Sequence, residues 1–440
     1  MSDSFFKRTF ELTKLSVKVG LKELKSGDLK SRIEQAKMIT ETLSQLKGAA
    51  MKAGQMLSIE LDDYFPPEAV QIISQLQNRG TEVPFKTIEK TLKKELGEDK
   101  FNKLENIIES PIASASIAQI HTAEYKGEKV VLKVQHPGVA KTINSDVALL
   151  KKVAQSFCAM TNRQMNLNPL FAEMKSVLNQ EVDFEQEVEY LKKYRKLIST
   201  ISNDKDKYYS PEPYTTMSTK KVITMSWEEG LSINDWLQTN PSQKKKEKLA
   251  HLVLNLYCHE FYHWGLVQTD PNFANFLVRE EAGNVGIVLL DFGATREYDK
   301  DFRTQYLNLI NNVYALKKAK DLEAQKAEVI KIAVDFNLLD RREDQEAKDL
   351  FIELLNMAVE PFFTSEKNNK FSFGNQEYNR RTKECVRKFV SSLKYSAPPH
   401  RLLFLHRKLG GISSLLRRLD VDLDLSQYWV VMFDKELNRD

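Results

Sequence analysis

The stretch Asp270-Pro271-Asn272-Phe273-Ala274-Asn275, followed sixteen residues after Asn275 by Asp291-Phe292-Gly293, decides the fold of this chain. Between the two motifs, residues 276–278 and 285–290 predict short strands joined by a turn at Glu281-Ala282-Gly283-Asn284. A hairpin of this kind brings Asn275 and Asp291 to neighbouring strand ends. Because Mg²⁺ prefers oxygen ligands such as an amide and a carboxylate, this arrangement predicts a shared metal site.

The spacing D-x₄-N followed by D-F-G is typical of kinase-like phosphotransferases. In that template the first carboxylate, here Asp270, orients or deprotonates the nucleophile, while Asn275 and Asp291 hold Mg²⁺ on the nucleotide phosphates. A lone Asp-Phe-Gly also forms ordinary turns. Here it follows the apolar run 287–290 and lies at the expected distance from the upstream motif. We therefore expect ATP and Mg²⁺ as cofactors.

Length and charge limit the classes to which the chain can belong. Its 440 residues can bury two or three cores, and 65 basic against 61 acidic residues give no argument for nucleic-acid binding. The cysteines Cys158, Cys258 and Cys385 form no C-x-x-C pair, which argues against a zinc site or a disulfide framework. No apolar run approaches the ~18 residues of a membrane-spanning helix. The sequence thus predicts a soluble, cytoplasmic protein.

The order of predicted elements indicates three domains. Residues 1–110 predict an all-helical extension. Residues 111–228 predict an N-lobe with a hairpin (117–125 and 128–135), helical segments (139–160 and 169–197) and a strand (222–227). Residues 229–440 predict a helical C-lobe that carries the metal-binding hairpin. The expected class is α+β, a two-lobed, helix-rich protein-kinase-like fold with a helical N-terminal extension.

Lys133 is the predicted phosphate-binding cation. It lies in the apolar strand Val130-Val131-Leu132-Lys133-Val134, which is similar to the strand that carries the phosphate-binding lysine of kinases. A strand lysine taken alone points to solvent more often, but the downstream motifs favour phosphate contact. The stretch Glu181-Val182-Asp183-Phe184-Glu185-Gln186-Glu187 offers four acids as partners, and we assign Glu187 to Lys133. For Glu181 and Asp183 a solvated acidic face is the ordinary alternative.

No glycine-rich loop precedes Lys133. In its place stands Ala113-Ser114-Ala115-Ser116-Ile117-Ala118-Gln119. Glycines let backbone N–H groups close on phosphates, whereas alanine and serine constrain the backbone and hold it further away. We therefore expect nucleotide binding at Ala113, Ser114, Ala115 and Ser116 to persist, whereas phosphoryl transfer need not.

Together these motifs resemble the UbiB (AarF-domain) family of atypical kinase-like proteins, which is linked to the biosynthesis of ubiquinone and related isoprenoid quinones. The marks are the alanine-rich loop at 113–116, a K-x-G-Q motif at Lys52-Ala53-Gly54-Gln55 and an E-x-D motif at Glu181-Val182-Asp183. The resemblance spans about residues 40–415. It implies an ATP-dependent atypical kinase or ATPase.

The resemblance also implies roles that spacing alone does not. The helix with Lys52, Gly54 and Gln55 would form a lid over the substrate site, with Lys52 paired to Glu181 of the E-x-D motif that also contains Asp183. The segment from Ser226 to Glu228 would form the hinge that binds adenine, mainly through backbone groups. Departures from the family pattern occur at Ser114, Ala118 and Ser226.

The implied partners are ATP or ADP, quinone-lipid precursors and other quinone-biosynthesis proteins. The basic amphipathic pattern of residues 5–25 fits an anionic membrane surface, and fits equally a first helix packed on the domain. Thr269 replaces the arginine of the kinase H-R-D motif and no A-P-E segment follows, which argues against a conventional protein kinase.

Two other function classes stay open. One is a small-molecule phosphotransferase, which shares D-x₄-N, but a K-x-G-Q lid would block a free hydroxyl substrate. The other is a catalytically silent lipid-binding or protein-binding scaffold. The intact set of Lys133, Asp270, Asn275 and Asp291 argues against that scaffold.

Overall fold

The computed structural model describes residues 82–160, 168–270, 272–362, 370–396 and 400–428. These residues divide into two compact units, 82–188 with 213–227 and 189–212 with 228–428. Both units combine helices with a sheet, which confirms the predicted α+β class. Most of the predicted helical extension, including Lys52, Gly54 and Gln55, lies outside the described residues.

The first unit contains an antiparallel sheet. Its strands are β1 (Leu104–Glu105), β2 (Ala113–Ser114), β3 (Ala118–Tyr125), β4 (Glu128–Gln135) and β6 (Val222–Ser226), numbered along the whole chain. The order is β1-β3-β4-β6, and β2 also pairs with β3. Its helices are α1 (Phe85–Leu96), α2 (Glu98–Phe101), α3 (Val139–Met160), α4 (Asn168–Glu181) and the start of α5 (Phe184–Ile201), with a 3₁₀ turn at Thr215–Met217.

Helix α1 belongs to the core of the first unit. Ile88, Leu92 and Leu96 recur every four residues on one face and are buried in one cluster with Leu132 and Val134 of β4. Burying each of these side chains stabilises the unit by about 1.5–3 kcal/mol. The chain then enters β1, which pairs with β3. The prediction that residues up to about 110 are all-helical was therefore wrong, because a strand of two residues carries no alternating pattern.

The predicted long helix at 169–197 is two helices. Helix α4 ends at Glu181 and α5 begins at Phe184. Asp183 caps α5, since its Oδ1 accepts a hydrogen bond from the Gln186 N–H at 3.1 Å. Helical periodicity continues through the break, so the sequence pattern did not reveal it.

The second unit is mostly helical. Its helices are α6 (Ile233–Gln238), α7 (Gln243–Cys258), α8 (Lys300–Ala315), α9 (Leu322–Asp335), α10 (Gln345–Val359), α11 (Gln376–Ser392) and α12 (His400–Leu419). A π-helical turn occupies His259–Trp264, and 3₁₀ turns occupy Phe273–Asn275, Leu316–Lys318 and Glu360–Phe362. Its strands are β5 (Lys207–Tyr209), β7 (Leu231–Ser232), β8 (Leu266–Gln268), β9 (Phe276–Glu281), β10 (Asn284–Leu289), β11 (Thr295–Glu297), β12 (Phe371–Ser372) and β13 (Asp422–Leu423).

The predicted hairpin of the second unit is confirmed as β9 and β10. They pair antiparallel with Phe276 opposite Leu289, and Ala282 and Gly283 both have positive φ in the connecting turn. Strand β5 pairs parallel to β10, with Tyr208 opposite Ile287. This pairing places residues 189–212 in the second unit, whereas the predicted N-lobe at 111–228 included them.

Further short strands were not predicted in the second unit. Strand β8 pairs with β11, and β12 with β13. Among the residues that the structure describes, no helix combines the length and the apolarity that crossing a bilayer requires.

Candidate nucleotide and metal site

Lys133 and Glu187 form a buried ion pair in the first unit. Lys133 lies on β4 between buried Leu132 and Val134, and its Nζ is 2.6 Å from Glu187 Oε1. The two side chains are only 8% and 5% exposed. Glu187 lies in the first turn of α5, which Asp183 caps. The predicted pairing is thus formed, and the helix break orients the glutamate toward the strand.

The E-x-D motif is anchored to the strand that carries Lys133. Gln135 Nε2 donates to the Val182 carbonyl at 2.8 Å, in the break between α4 and α5. Glu181 is buried at the end of α4, while its predicted partner Lys52 lies outside the described residues. Asp183 has a structural use as the helix cap. The regulatory role of this motif stays a prediction.

The alanine-rich stretch is the tip of a β-hairpin and not a free loop. Ala113 and Ser114 form β2 and pair with Ile120 and Gln119 of β3. The Ala115 N–H closes the tip by donating to the Ala118 carbonyl at 2.8 Å. This corrects the predicted loop, because strand pairing extends to the residue before Ala115.

The residues of this hairpin fit a phosphate-bearing ligand. Ser114 Oγ is buried and has no hydrogen-bond partner among the described residues. A buried hydroxyl without a partner is costly, so it fits a place where a ligand supplies an acceptor. Gln119 fixes the base of the hairpin, since its side chain accepts from the Val83 N–H and donates to the Val83 carbonyl.

The predicted hinge begins at the end of β6. Ser226 is opposite Val130 of β4, and the Trp227 N–H donates to the Lys129 carbonyl at 3.1 Å. In the second unit, Glu228 Oε2 pairs with Arg279 Nη2 at 2.6 Å. The side chain of Glu228 is therefore engaged, which leaves its backbone as the predicted nucleotide contact.

Asp270 and Asn275 contact each other directly. Asn275 Nδ2 donates to Asp270 Oδ2 at 3.1 Å, so the amide nitrogen is used there and the amide oxygen is directed elsewhere. The Asn275 carbonyl accepts from the Leu290 N–H at 2.9 Å, directly before Asp291. Asp291 Oδ1 accepts from the Gly293 N–H at 2.9 Å. The hairpin brings Asn275 and Asp291 to adjacent strand ends, as predicted.

This donor set fits Mg²⁺. An amide oxygen and a carboxylate are hard oxygen ligands, and Mg²⁺ commonly takes one or two such groups and completes its octahedron with waters and substrate phosphates. In the described residues no group of three or more His, Cys, Asp and Glu side chains could hold a metal alone. Asn275 and Asp291 would leave coordination positions that phosphate oxygens can fill.

Arg407 is a site residue that the sequence did not reveal. It lies on α12, and its Nη2 is 3.5 Å from Asp270 Oδ1, with both side chains about 85% buried (15% and 14% exposed). Its Nε is buried without a partner among the described residues. The available signal was weak: Arg407 and Lys408 are adjacent charges in the middle of α12, but the same helix also carries the adjacent pair Arg417 and Arg418.

Lys408 belongs to a separate buried network. Its Nζ is 3.2 Å from Glu260 Oε2, and Glu260 Oε1 accepts from the Tyr194 hydroxyl at 3.0 Å. Burial raises the pKa of Glu260, while Lys408 and Tyr194 oppose this shift by stabilising the carboxylate. The network fixes α12, which carries Arg407, against the π-helical turn.

The segment after Asp291 is short and tied down. Thr269 donates through Oγ1 to the Ala294 carbonyl at 2.7 Å and through its N–H to the same oxygen at 3.1 Å. Strand β11 then pairs with β8, and α8 begins at Lys300. The position of the kinase H-R-D arginine is thus filled by a threonine that binds the backbone beside the Asp-Phe-Gly turn.

Comparison with known proteins gives one family. The model of the ABC1 atypical kinase-like domain matches residues 75–325. The chain is 30% identical to "Atypical kinase coq-8, mitochondrial" of Caenorhabditis elegans, covering 93% of this chain and 53% of that protein. It is also 30% identical to "Atypical kinase COQ8, mitochondrial" of Saccharomyces cerevisiae, covering 90% and 75%. The chain thus spans about half the length of the worm relative.

A solved structure supports the fold. The complex of Rv3197 with erythromycin from Mycobacterium tuberculosis superposes with a TM-score of 0.57, covering 92% of this chain and 97% of that one. The two sequences are 17% identical, so this likeness concerns the fold alone.

Proposed function

The chain belongs to the UbiB (AarF-domain) family of ABC1 atypical kinase-like proteins, and from this membership we propose that it binds Mg-ATP and Mg-ADP and acts as an atypical kinase or ATPase. We further propose that this activity supports the biosynthesis of ubiquinone or a related isoprenoid quinone. The family is linked to that pathway, and the relatives named COQ8 are mitochondrial by name.

The observation that carries the proposal is the buried ion pair of Lys133 and Glu187 at 2.6 Å. Removing two charges from water costs several kcal/mol for each ion, and a buried pair often stabilises a fold no better than apolar residues do. A pair held at this cost on a central strand is better explained by function than by stability. In kinase-like enzymes this pair positions the lysine for nucleotide phosphates.

The site residues of the second unit have separate tasks in the proposed reaction. Asn275 and Asp291 would hold Mg²⁺, which neutralises charge on the phosphates when it is bound. Asp270 would accept a hydrogen bond from the attacking hydroxyl or water and so orient it. Its hydrogen bond from Asn275 and its contact with Arg407 fix its carboxylate. The rotamer is set before substrate arrives, which lowers the entropic cost of alignment.

The short segment between Asp291 and α8 argues for a substrate other than an extended peptide. Only residues 292–299 separate the metal-binding carboxylate from that helix, and part of this segment is strand β11. Thr269 occupies the position of the arginine that reads a phosphorylated activation segment. We therefore propose a lipid precursor or a component of the biosynthetic complex as the acceptor, reached at an anionic membrane surface.

Calorimetry and turnover together test this function. The full chain should bind Mg-ATP and hydrolyse it, and turnover should rise with anionic liposomes and a phenol-like quinone precursor. Asp270→Asn should keep Mg-ATP binding and lose turnover, because it removes the group that orients the nucleophile and keeps the metal ligands. Absence of Mg-ATP binding by the full chain refutes the proposal. Binding with turnover that neither liposomes nor the precursor changes would remove the lipid part and keep the nucleotide part.

A further inference from the structure

Two buried polar side chains follow Lys133 at the end of β4, and the second one contacts the alanine-rich hairpin. His136 is 9% exposed, and its Nε2 lies 3.0 Å from the Ala115 carbonyl oxygen. A carbonyl oxygen can only accept, so the ring carries a proton on Nε2. The preceding residue, Gln135, uses its side chain on Val182 instead. None of the functions assigned above uses the His136 ring.

The backbone of His136 is held on both sides. Its N–H donates to the Ile117 carbonyl at 2.8 Å, and its carbonyl accepts from the Val139 N–H at 3.4 Å. Pro137 follows directly and restricts the conformation of His136. Burial lowers the pKa of His136, against the opposing effect of the Ala115 and Ala118 backbone, and this favours the neutral ring. The imidazole is thus a rigid support for the hairpin tip and not a mobile surface side chain.

The contact sets the direction of one peptide group at the hairpin tip. In a trans peptide the C=O and the following N–H point in opposite directions. Because the Ala115 oxygen is held on His136, the Ser116 N–H points away from the imidazole. The Ala115 N–H itself is used on Ala118. The Ser116 N–H is thus a backbone donor at the tip that faces away from the imidazole.

The tip lies a short way beyond Lys133 along the same strand pair. Gln135 pairs with Ala118 beside the tip, and Lys133 pairs with Ile120 two residues earlier. Two residues of strand correspond to about 7 Å. Ser114, whose buried hydroxyl has no hydrogen-bond partner among the described residues, lies on the same hairpin. The Lys133 ammonium, the Ser114 hydroxyl and the Ser116 N–H are thus donors that lie within a few residues of one another on β4 and the hairpin.

We propose that His136 is the positioning residue of the alanine-rich hairpin: it orients the Ala115–Ser116 peptide so that the Ser116 N–H donates to a nucleotide phosphate. Glycine-rich loops achieve such contacts through backbone freedom. Here an imidazole orients a constrained backbone instead. The inference rests on the nucleotide binding proposed above and assigns a specific donor and its support within that site.

Three variants of the full chain test the inference by calorimetry with Mg-ADP and with adenosine. His136→Phe keeps the ring shape and removes the donor, and it should weaken Mg-ADP binding about tenfold, the effect of one charge-assisted hydrogen bond. Adenosine has no phosphate, so its affinity should stay unchanged. His136→Gln places an amide donor near the same point and should restore most of the lost affinity. His251→Phe is the matched control, because that half-buried ring contacts the Tyr428 hydroxyl in the second unit.

The outcomes separate this inference from the proposed function. If the unaltered chain fails to bind Mg-ADP, the proposed function falls. If it binds and His136→Phe binds equally well, or loses adenosine and Mg-ADP affinity in parallel, the positioning role falls. Should His136→Phe fail to fold, Ser116→Pro decides, since proline removes the same N–H directly. An unchanged Mg-ADP affinity of folded Ser116→Pro overturns the inference.

Discussion

Replacing Lys133 and Glu187 by methionine, singly and together, measures what the buried pair contributes to stability and to nucleotide binding. Each single change leaves one charge in a site where the side chains are only 8% and 5% exposed. Removing one partner of a buried pair costs about 3–5 kcal/mol, because the remaining charge stays desolvated. Replacing both partners by apolar side chains of similar size is neutral or stabilising in comparable cases.

We therefore expect both single variants to be destabilised by about 3 kcal/mol or more and the double variant to lie within about 1 kcal/mol of the unaltered chain. The coupling free energy is the sum of the two single losses minus the loss in the double variant, and it would then be at least about 5 kcal/mol. All three variants should lose Mg-ATP affinity. Stability would then recover in the double variant while binding does not, which separates the structural from the functional role.

Native-state hydrogen exchange of the amides of β3 and β4 gives a local readout of stability in the first unit, and calorimetry gives the affinity. Lys90→Met is the matched control, because it makes the same change at an exposed lysine of α1. The reasoning is refuted if the double variant loses the sum of the two single losses to within about 0.5 kcal/mol. It is equally refuted if the double variant still binds Mg-ATP with full affinity.

Three further predictions concern the second unit. Asp291→Asn should abolish Mg²⁺-dependent ATP binding with an unchanged circular dichroism spectrum, since a neutral amide cannot replace the carboxylate; calorimetry with and without Mg²⁺ checks this. Arg407→Gln should lower kcat of ATP turnover about tenfold, and Arg407→Lys less, because the cation fixes Asp270; equal turnover of all three proteins would contradict it. Burial, with the nearby His263, lowers the pKa of His259 to about 4, below its unfolded value. Between about pH 6.5 and 4 the unfolded chain therefore binds more protons at His259 than the folded chain does. The free energy of unfolding falls as pH is lowered through that window, by about 1 kcal/mol at pH 5 once solvent screening of this half-buried ring is included. His259→Gln should flatten this part of a urea-midpoint profile.

The sequence by itself determined the parts of the protein that depend on neighbours along the chain. The β9–β10 hairpin follows from two short apolar runs around a turn with a glycine, and it necessarily brings Asn275 close to Asp291. Lys133 could be recognised because its apolar strand lies upstream of the D-x₄-N and D-F-G motifs in the order of the kinase template. The pairing of Lys133 with Glu187, 54 residues apart, was predicted from the kinase template and not from a local pattern, and the structure forms it.

Only the tertiary structure decided which distant segments meet. The apolar face of α1 packs into the core of the first unit, and β5 pairs with β10. Arg407 reaches Asp270 from the last helix, and His136 supports the alanine-rich hairpin. The physical reason is that periodicity and turn chemistry act over a few residues. Contacts across the chain are selected by the burial of whole surfaces, and many partners of equal apolarity satisfy the local pattern equally well.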